Sequence, residues 1–284
     1  MSEVRTDEIA PAKSRRSVED AVQAVRERFP LEGYIEENIA PYRTVGKVVL
    51  EHTRPGARLF DFGSGPCDKT AIASLLGCHC DAYDDLNDEW HRRGDTLDRI
   101  RQFAAATNVN LSEHFAPDED AGYDMVMMND VLEHIHDSPR ELLNDLVSML
   151  APGGLLFITV PNLANLRKRL DLLRGRTNLP RFELLYWYRG PWRGPVREYV
   201  RSDLEKLVSY LGLELVALDT THHMLKNLRP KLVPGYKMLT RLFPDVADTW
   251  VLLARRPAGW QARRALTDTE FASIYESVNK KGLY

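Results

Sequence analysis

The feature that most limits how this chain can fold is a short apolar run that ends in a glycine-rich bend, Leu59-Phe60-Asp61-Phe62-Gly63-Ser64-Gly65-Pro66. Bounded by Arg54-Pro55-Gly56 on one side and by the glycines on the other, Arg58–Phe62 reads as a buried strand. A helical stretch at Thr70–Leu76 follows, then a second strand at Cys78–Tyr83, a helix at Asp95–Ala105 and a third strand near Val109–Phe115. Tyr123–Met128 reads as a strand and Ser138–Leu150 as an amphipathic helix opening at a Ser-Pro cap. Pro152-Gly153-Gly154 turns the chain into another strand, Leu155–Val160. Strands alternating with helices require right-handed crossovers and hence a mostly parallel sheet of an α/β fold. The series closes with a helix at Ser202–Leu211, strands at Glu214–Leu218 and Thr249–Ala254, and a helix at Leu266–Tyr284. Upstream, apolar residues between Tyr34 and His52 fall at helical spacing, whereas residues 1–28 are polar and read as a mobile arm or a loosely attached helix.

Composition narrows the setting. No apolar run in the 284 residues approaches the ~20 needed to span a bilayer, and the first thirty residues lack the apolar stretch of a secretory signal. Cys67, Cys78 and Cys80 are too few and too clustered for a disulfide framework, so a reducing cytoplasm is expected. Cys78-His79-Cys80 has no partner pair at zinc spacing and reads as core. A net charge of −3 argues against a surface built for nucleic acid, which is not an expected partner.

The glycine bend offers free backbone N–H groups to a ligand. A dinucleotide site would place a third glycine where Asp68 stands, and a carboxylate there opposes a pyrophosphate. No Gly-Lys-Ser/Thr closes a phosphate loop either. Asp61, two residues before the bend, suits a ligand carrying positive charge. Asp84 and Asp85 follow the second strand, where a carboxylate can accept ribose hydroxyls, although one of them could instead cap a helix. Asn129-Asp130-Val131-Leu132-Glu133-His134 falls at the carboxyl end of the fourth strand, the edge at which open α/β sheets bind ligands.

Together these segments resemble the class I S-adenosylmethionine-dependent methyltransferases. The bend matches the D-x-G-x-G signature of that family, Tyr123-Asp124-Met125-Val126 is similar to its F-D-x-V strand, and Leu150-Ala151-Pro152-Gly153-Gly154 matches its L-x-P-G-G turn. The resemblance implies a Rossmann-like, doubly wound, mostly parallel seven-stranded sheet whose last strand is antiparallel, with a helical and aromatic insertion after the fifth strand. It implies a domain at 31–256, an acceptor-binding insertion at 162–201, an N-terminal arm at 1–30 and a helical tail at 257–284. S-adenosylmethionine would lie against Gly63 and Gly65, with Asp61 tied to the loop or to its amino group, Asp84 or Asp85 on the ribose and Asn129 closing over it. Adenine contacts are expected near Glu113–Phe115.

An alcohol acceptor gains from a base, and His134, His136 and Glu133 are the candidates nearest the expected site. His134 could equally serve as a structural hydrogen-bonding group. Asp130, Glu133 and His134 stand at i, i+3 and i+4 and would share one face of a helical turn. That trio is similar to the metal-binding Glu, Glu and His of ubiquinone-biosynthesis O-methyltransferases, so Mg2+ or another divalent cation is a further candidate ligand. His222-His223 fits an acceptor pocket or a polar turn equally well.

Between Asn162 and Arg201 ten basic residues face three acidic ones, with Phe182, Tyr186, Trp187, Tyr188, Trp192 and Tyr199 interleaved. Aromatic faces beside arginines suit an anionic glycan or sugar phosphate, and Leu166, Leu170 and Leu173 among basic residues suit an interfacial helix on anionic lipid. Pro161-Asn162-Leu163 and Val196-Arg197-Glu198-Tyr199 resemble methyltransferases of bacterial surface-polysaccharide biosynthesis. The expected activity is O-methylation of a sugar hydroxyl in a free or lipid-linked saccharide, with peripheral membrane contact as one prospect. A small aromatic or carboxylate acceptor, a non-catalytic cofactor-binding role and nucleic-acid methylation stay open, as does the oligomeric state.

Overall fold

The computed structural model describes residues 15–35, 39–225 and 228–281. Seven strands form one sheet: β1 (Arg58–Phe62), β2 (His79–Tyr83), β3 (Val109–Ser112), β4 (Tyr123–Asn129), β5 (Leu150–Pro161), β6 (Glu214–Thr221) and β7 (Thr249–Arg255). Their order is β3-β2-β1-β4-β5-β7-β6. Neighbours among β1 to β5 pair in parallel, and β7 runs antiparallel between β5 and β6. The doubly wound α/β sheet expected above, with its antiparallel final strand, is the fold observed. The helices are α1 (Val18–Arg28), α2 (Ala40–His52), α3 (Asp68–Leu75), α4 (Thr96–Ala106), α5 (Arg140–Ser148), α6 (Leu166–Leu173), α7 (Phe182–Tyr186), α8 (Arg201–Tyr210), α9 (Val233–Leu242) and α10 (Asp268–Lys281). None of the described helices is long and apolar enough to cross a membrane.

The two-residue side-chain period of a strand sorts the core into two layers. Leu59, Met125, Met127 and Phe157 meet α1, α2, α3 and α4 on one face. Phe60, Val126, Met128, Leu156 and Ile158 meet α5 and α8 on the other. Asp61 shares the parity of Leu59, so the sheet itself aims this carboxylate towards the α3 side.

Two expectations change. Residues 1–14 lie outside the described residues; from Val18 onward the chain is a helix, the second of the two readings, but one packed on the core rather than loosely attached. Ser17 caps α1 by accepting from the Asp20 N–H at 3.1 Å, and Ala21, Val22 and Val25 are buried. Three small apolar residues among charges make a narrow stripe that a polar average conceals. Pro152-Gly153-Gly154 does not separate two elements either. β5 runs through it, and the register with β4 jumps from Tyr123 opposite Leu150 to Met125 opposite Leu155, so the tripeptide is absorbed as a bulge. The Gly153 N–H donates to the Arg256 carbonyl at 2.8 Å, and the Arg256 N–H donates back to Gly154 at 2.9 Å. The helix read between Tyr34 and His52 begins at Ala40, with Pro41 in its first turn; residues 36–38 lie outside the described residues.

Gly154 sits so close to the β4 backbone that an added Cβ would meet the Tyr123 carbonyl oxygen at 2.8 Å. Gly154→Ala is therefore expected to destabilise the fold by about 1–3 kcal/mol, read as a lower urea midpoint with an unchanged m-value.

Candidate functional site

A cavity of about 1080 Å³ opens at the carboxyl ends of β1, β2 and β4, where each chain segment leaves the sheet. Its floor is the bend after β1. Gly63 and Gly65 hold φ of 73° and 54°, a region costly to residues with a Cβ. A Cβ on Gly63 would also fall 2.5 Å from a Val131 methyl group. The N–H groups of Gly63 and Ser64 donate to the Tyr83 carbonyl at 2.8 and 3.0 Å. Asp84 completes the crossing: one carboxylate oxygen accepts from Gly65 N–H and the other from Leu86 N–H, both at 2.8 Å. Each of those oxygens keeps a further lone pair for a ligand.

Beneath the bend lie the buried acids Asp61 and Asp68, with the half-buried Asp130 beside them. Asp61 accepts from the Thr70 hydroxyl, and burial pushes its carboxyl up to about 7. Asp68 accepts from Tyr42 Oη at 2.6 Å and is also raised by burial. Asp130, at a left-handed φ of 59°, takes the Lys69 ammonium at 2.7 Å and the Thr159 hydroxyl at 3.1 Å. Burial works against its ionisation, but Lys69, His223 and the Thr159 hydroxyl together outweigh burial and hold the carboxyl below its ordinary value. Asn129 closes β4 with neither side-chain polar atom hydrogen-bonded, and His91, almost wholly buried on the cavity wall, has both ring nitrogens unpaired. Buried polar groups without partners are uncommon and mark a place where a ligand would complete the bonding.

The opposite wall is the strap Pro191-Trp192-Arg193. Arg193 grips Asp85 through two hydrogen bonds of 2.9 and 3.1 Å and also pairs with Asp88. Its carbonyl sits 2.8 Å from His134 Nδ1, so that nitrogen carries the hydrogen and Nε2 keeps a lone pair. Nε2 lies 3.9 Å from Glu133 Oε1. Burial, reinforced by Asp130, pushes Glu133 up to about 8. The Glu133 carbonyl accepts from Val196 N–H at 2.7 Å, which anchors the strap a second time.

Of the residues singled out in the sequence, Asp61, Gly63, Gly65, Asp84, Asp85, Asn129, Asp130, His134 and His136 all border this cavity, while Glu133 stands behind it. The metal expectation does not hold: among the described residues no group of three His, Cys, Asp or Glu side chains could hold an ion. Asp130, Glu133 and His134 would share a face only on an α-helical turn. Here Asp130 is left-handed, the turn Leu132–His134 is a 3₁₀ turn, and Lys69 already occupies the Asp130 carboxylate. Glu113 and Phe115 do not line the cavity. Glu113 pairs with Arg101, and Phe115 packs edge-on against Phe62 at 4.9 Å. His222 and His223 also lie outside it, bonded to Thr240 and Thr44.

Tyr34, Tyr42, Lys69, Trp90 and His91 belong to the site without having been singled out. Tyr42 had a signal: it shares a helical face with Val45 and Val49, and a phenol on a buried face needs a partner. His91 had none, since its wall is an irregular loop.

The sequence model of a methyltransferase domain family matches residues 34–218, and the chain belongs to that family. No curated protein matches it. Among solved structures it is similar to the 1,6-didemethyltoxoflavin-N1-methyltransferase of Burkholderia thailandensis, solved with 1,6-didemethyltoxoflavin and S-adenosylhomocysteine. Identity is 16% over 88% of this chain and 93% of that one, at a TM-score of 0.51. A protein of Bacillus halodurans C-125 described as a methyltransferase gives 16% identity over 75% of this chain and 99% of that one, at a TM-score of 0.50. These likenesses show the shared fold.

The raised Asp61 carboxyl makes stability depend on pH. Its ordinary value is 3.8, so between about pH 4 and pH 7 the folded chain keeps a proton that the unfolded chain has released. Unfolding free energy must therefore fall as pH rises through that window. Asp61→Asn, which keeps an acceptor for Thr70, is expected to flatten the fall in urea titrations at pH 5 and pH 7. An unchanged slope would assign it to other groups.

Proposed function

We propose that this chain binds S-adenosylmethionine in the cavity above the Gly63–Gly65 bend and methylates an acceptor hydroxyl, that of a saccharide by preference. The observation that carries the reading is the cavity's chemistry. Asp61, Asp68, Asp84, Asp85, Asp88 and Asp130 border it against the cations Lys69 and Arg193, with the Asn129 side chain unpaired. Such an acidic, partly unsatisfied lining favours a cationic ligand with an ammonium group and hydroxyls over a phosphate-bearing one. The S-adenosylhomocysteine bound in the Burkholderia structure accords with it.

When bound, S-adenosylmethionine supplies a methyl group on a sulfonium that is already a good leaving group. The chain's own residues then have three tasks. Asp61 would face the ligand ammonium, the open lone pairs of Asp84 would accept ribose hydroxyls, and the Asn129 amide would hold the amino-acid end. Orientation of this kind can account for much of the acceleration of a displacement. His134 Nε2, whose lone pair is left free by the Nδ1 hydrogen bond to the Arg193 carbonyl, would take the proton of an acceptor hydroxyl. A neutral amine attacks through a lone pair it already has, whereas an alcohol oxygen is a poor nucleophile until its proton is drawn off, so a base at this position suits an alcohol acceptor. Trp192 offers an aromatic face on the wall beside His134, suited to the C–H face of a sugar ring.

Calorimetry is expected to show binding of S-adenosylhomocysteine, weakened at least tenfold in Asp84→Ala. No heat at millimolar ligand would sink the proposal. With methyl-labelled cofactor and a panel of sugar, phenol, carboxylate and amine acceptors, His134→Ala should leave that affinity intact while lowering turnover on hydroxyls by about 10²–10⁴-fold. Turnover confined to amines, and unchanged in His134→Ala, would remove both the alcohol and the base.

A further inference from the structure

The segment after β5 is turned inside out. In α6 the one buried side chain is Lys168, paired with Glu198, and Leu170, Leu172 and Leu173 on the same helix are exposed. Leu173 is 83% exposed. Beyond it Leu179, Phe182, Leu184, Tyr186 and Trp187 are also exposed, Trp187 by 75%. A soluble surface scatters such residues singly; a run of them marks something that covers it. The exposed arginines Arg174, Arg176, Arg181 and Arg189 are threaded through the same stretch.

A second segment has the same character. Leu232, Met238, Leu242 and Phe243, in and around α9, are exposed. Arg229, Lys231, Lys237 and Arg241 accompany them, and residues 229–243 contain no acid. Arg167 on α6 joins the two: its guanidinium lies 3.8 Å from Met224 Sδ, and its charge acts on Tyr236 of α9. Among the described residues none of Arg181, Arg189, Lys231, Lys237 and Arg241 is in an ion pair.

We infer that α6, α7 and α9 form a docking surface for an anionic phospholipid bilayer. Charge complementarity selects the occupant. Unpaired basic side chains reach headgroup phosphates while their stems, with Leu173, Phe182 and Trp187, enter the acyl boundary. Tyr186 and Trp187 have an apolar body and a polar edge, as an interface requires. The inference is independent of the methyl-transfer reading, because none of these exposed side chains lines the cavity.

The test is co-sedimentation of the full chain with vesicles of phosphatidylcholine alone or mixed equally with phosphatidylglycerol. Retention is expected to be at least about tenfold greater on the mixed vesicles and to fall as salt rises. Arg181→Glu combined with Arg189→Glu should weaken it about tenfold or more, and Leu173→Asp combined with Trp187→Asp should abolish it. All these positions are exposed, and unchanged circular dichroism and S-adenosylhomocysteine affinity would show an intact fold. Absent binding, equal binding to both vesicle types, or variants that bind like the parent would overturn the inference. So would a dimer in sedimentation velocity that Leu173→Asp dissolves, which would assign the face to a second copy. Vesicle binding without cofactor binding would leave this surface standing and remove only the methyltransferase reading.

Discussion

Everything at the site rests on one crossing of backbone over backbone. The tip of β1 passes over the end of β2, where the Tyr83 carbonyl takes two N–H groups and the Asp84 carboxylate takes Gly65 and Leu86. Only glycine reaches the required dihedral angles cheaply, and only glycine at position 63 leaves room for Val131. That crossing aims α3, and α3 carries Asp68, Lys69 and Thr70 into contact with Tyr42, Asp130 and Asp61. A single distorted turn would therefore disperse groups contributed by β1, β4, α2 and α3.

Electrostatics decides what such a place can hold. Burying several carboxylates together is costly, as the raised carboxyls of Asp61, Asp68 and Asp84 register. Lys69 relieves Asp130 and Arg193 relieves Asp85, so the lysine and the arginine that line the cavity are already engaged. The uncompensated remainder lies nearest the glycine bend, and a positively charged guest lowers its energy. The same Arg193 ties the strap across the cavity, so charge balance and enclosure come from one side chain.

Much of the fold was legible from β1 to β7 because period-two alternation, helix amphipathicity and turn residues are local properties. The glycine bend, Asp84 and Asn129 were legible for a related reason: strand ends in an alternating α/β chain point to one edge of the sheet. The reading failed where a local pattern had more than one geometric outcome. Asp130, Glu133 and His134 have helical spacing, yet a left-handed residue and a 3₁₀ turn separate their side chains. Pro152-Gly153-Gly154 is punctuation in sequence but a bulge in the sheet, because the chain after β7 supplies the missing backbone partners.

By itself the sequence determined the order of strands and helices, the glycine bend and the acidic character of the residues at strand ends, since each depends on neighbours a few positions away. Tertiary structure alone decided that Tyr42 from α2, His91 from a loop and Arg193 from the strap share one cavity with them. Those residues come together only when the layers pack. Whether a charged group is paired, buried or left unsatisfied is then settled by side chains dozens of positions distant.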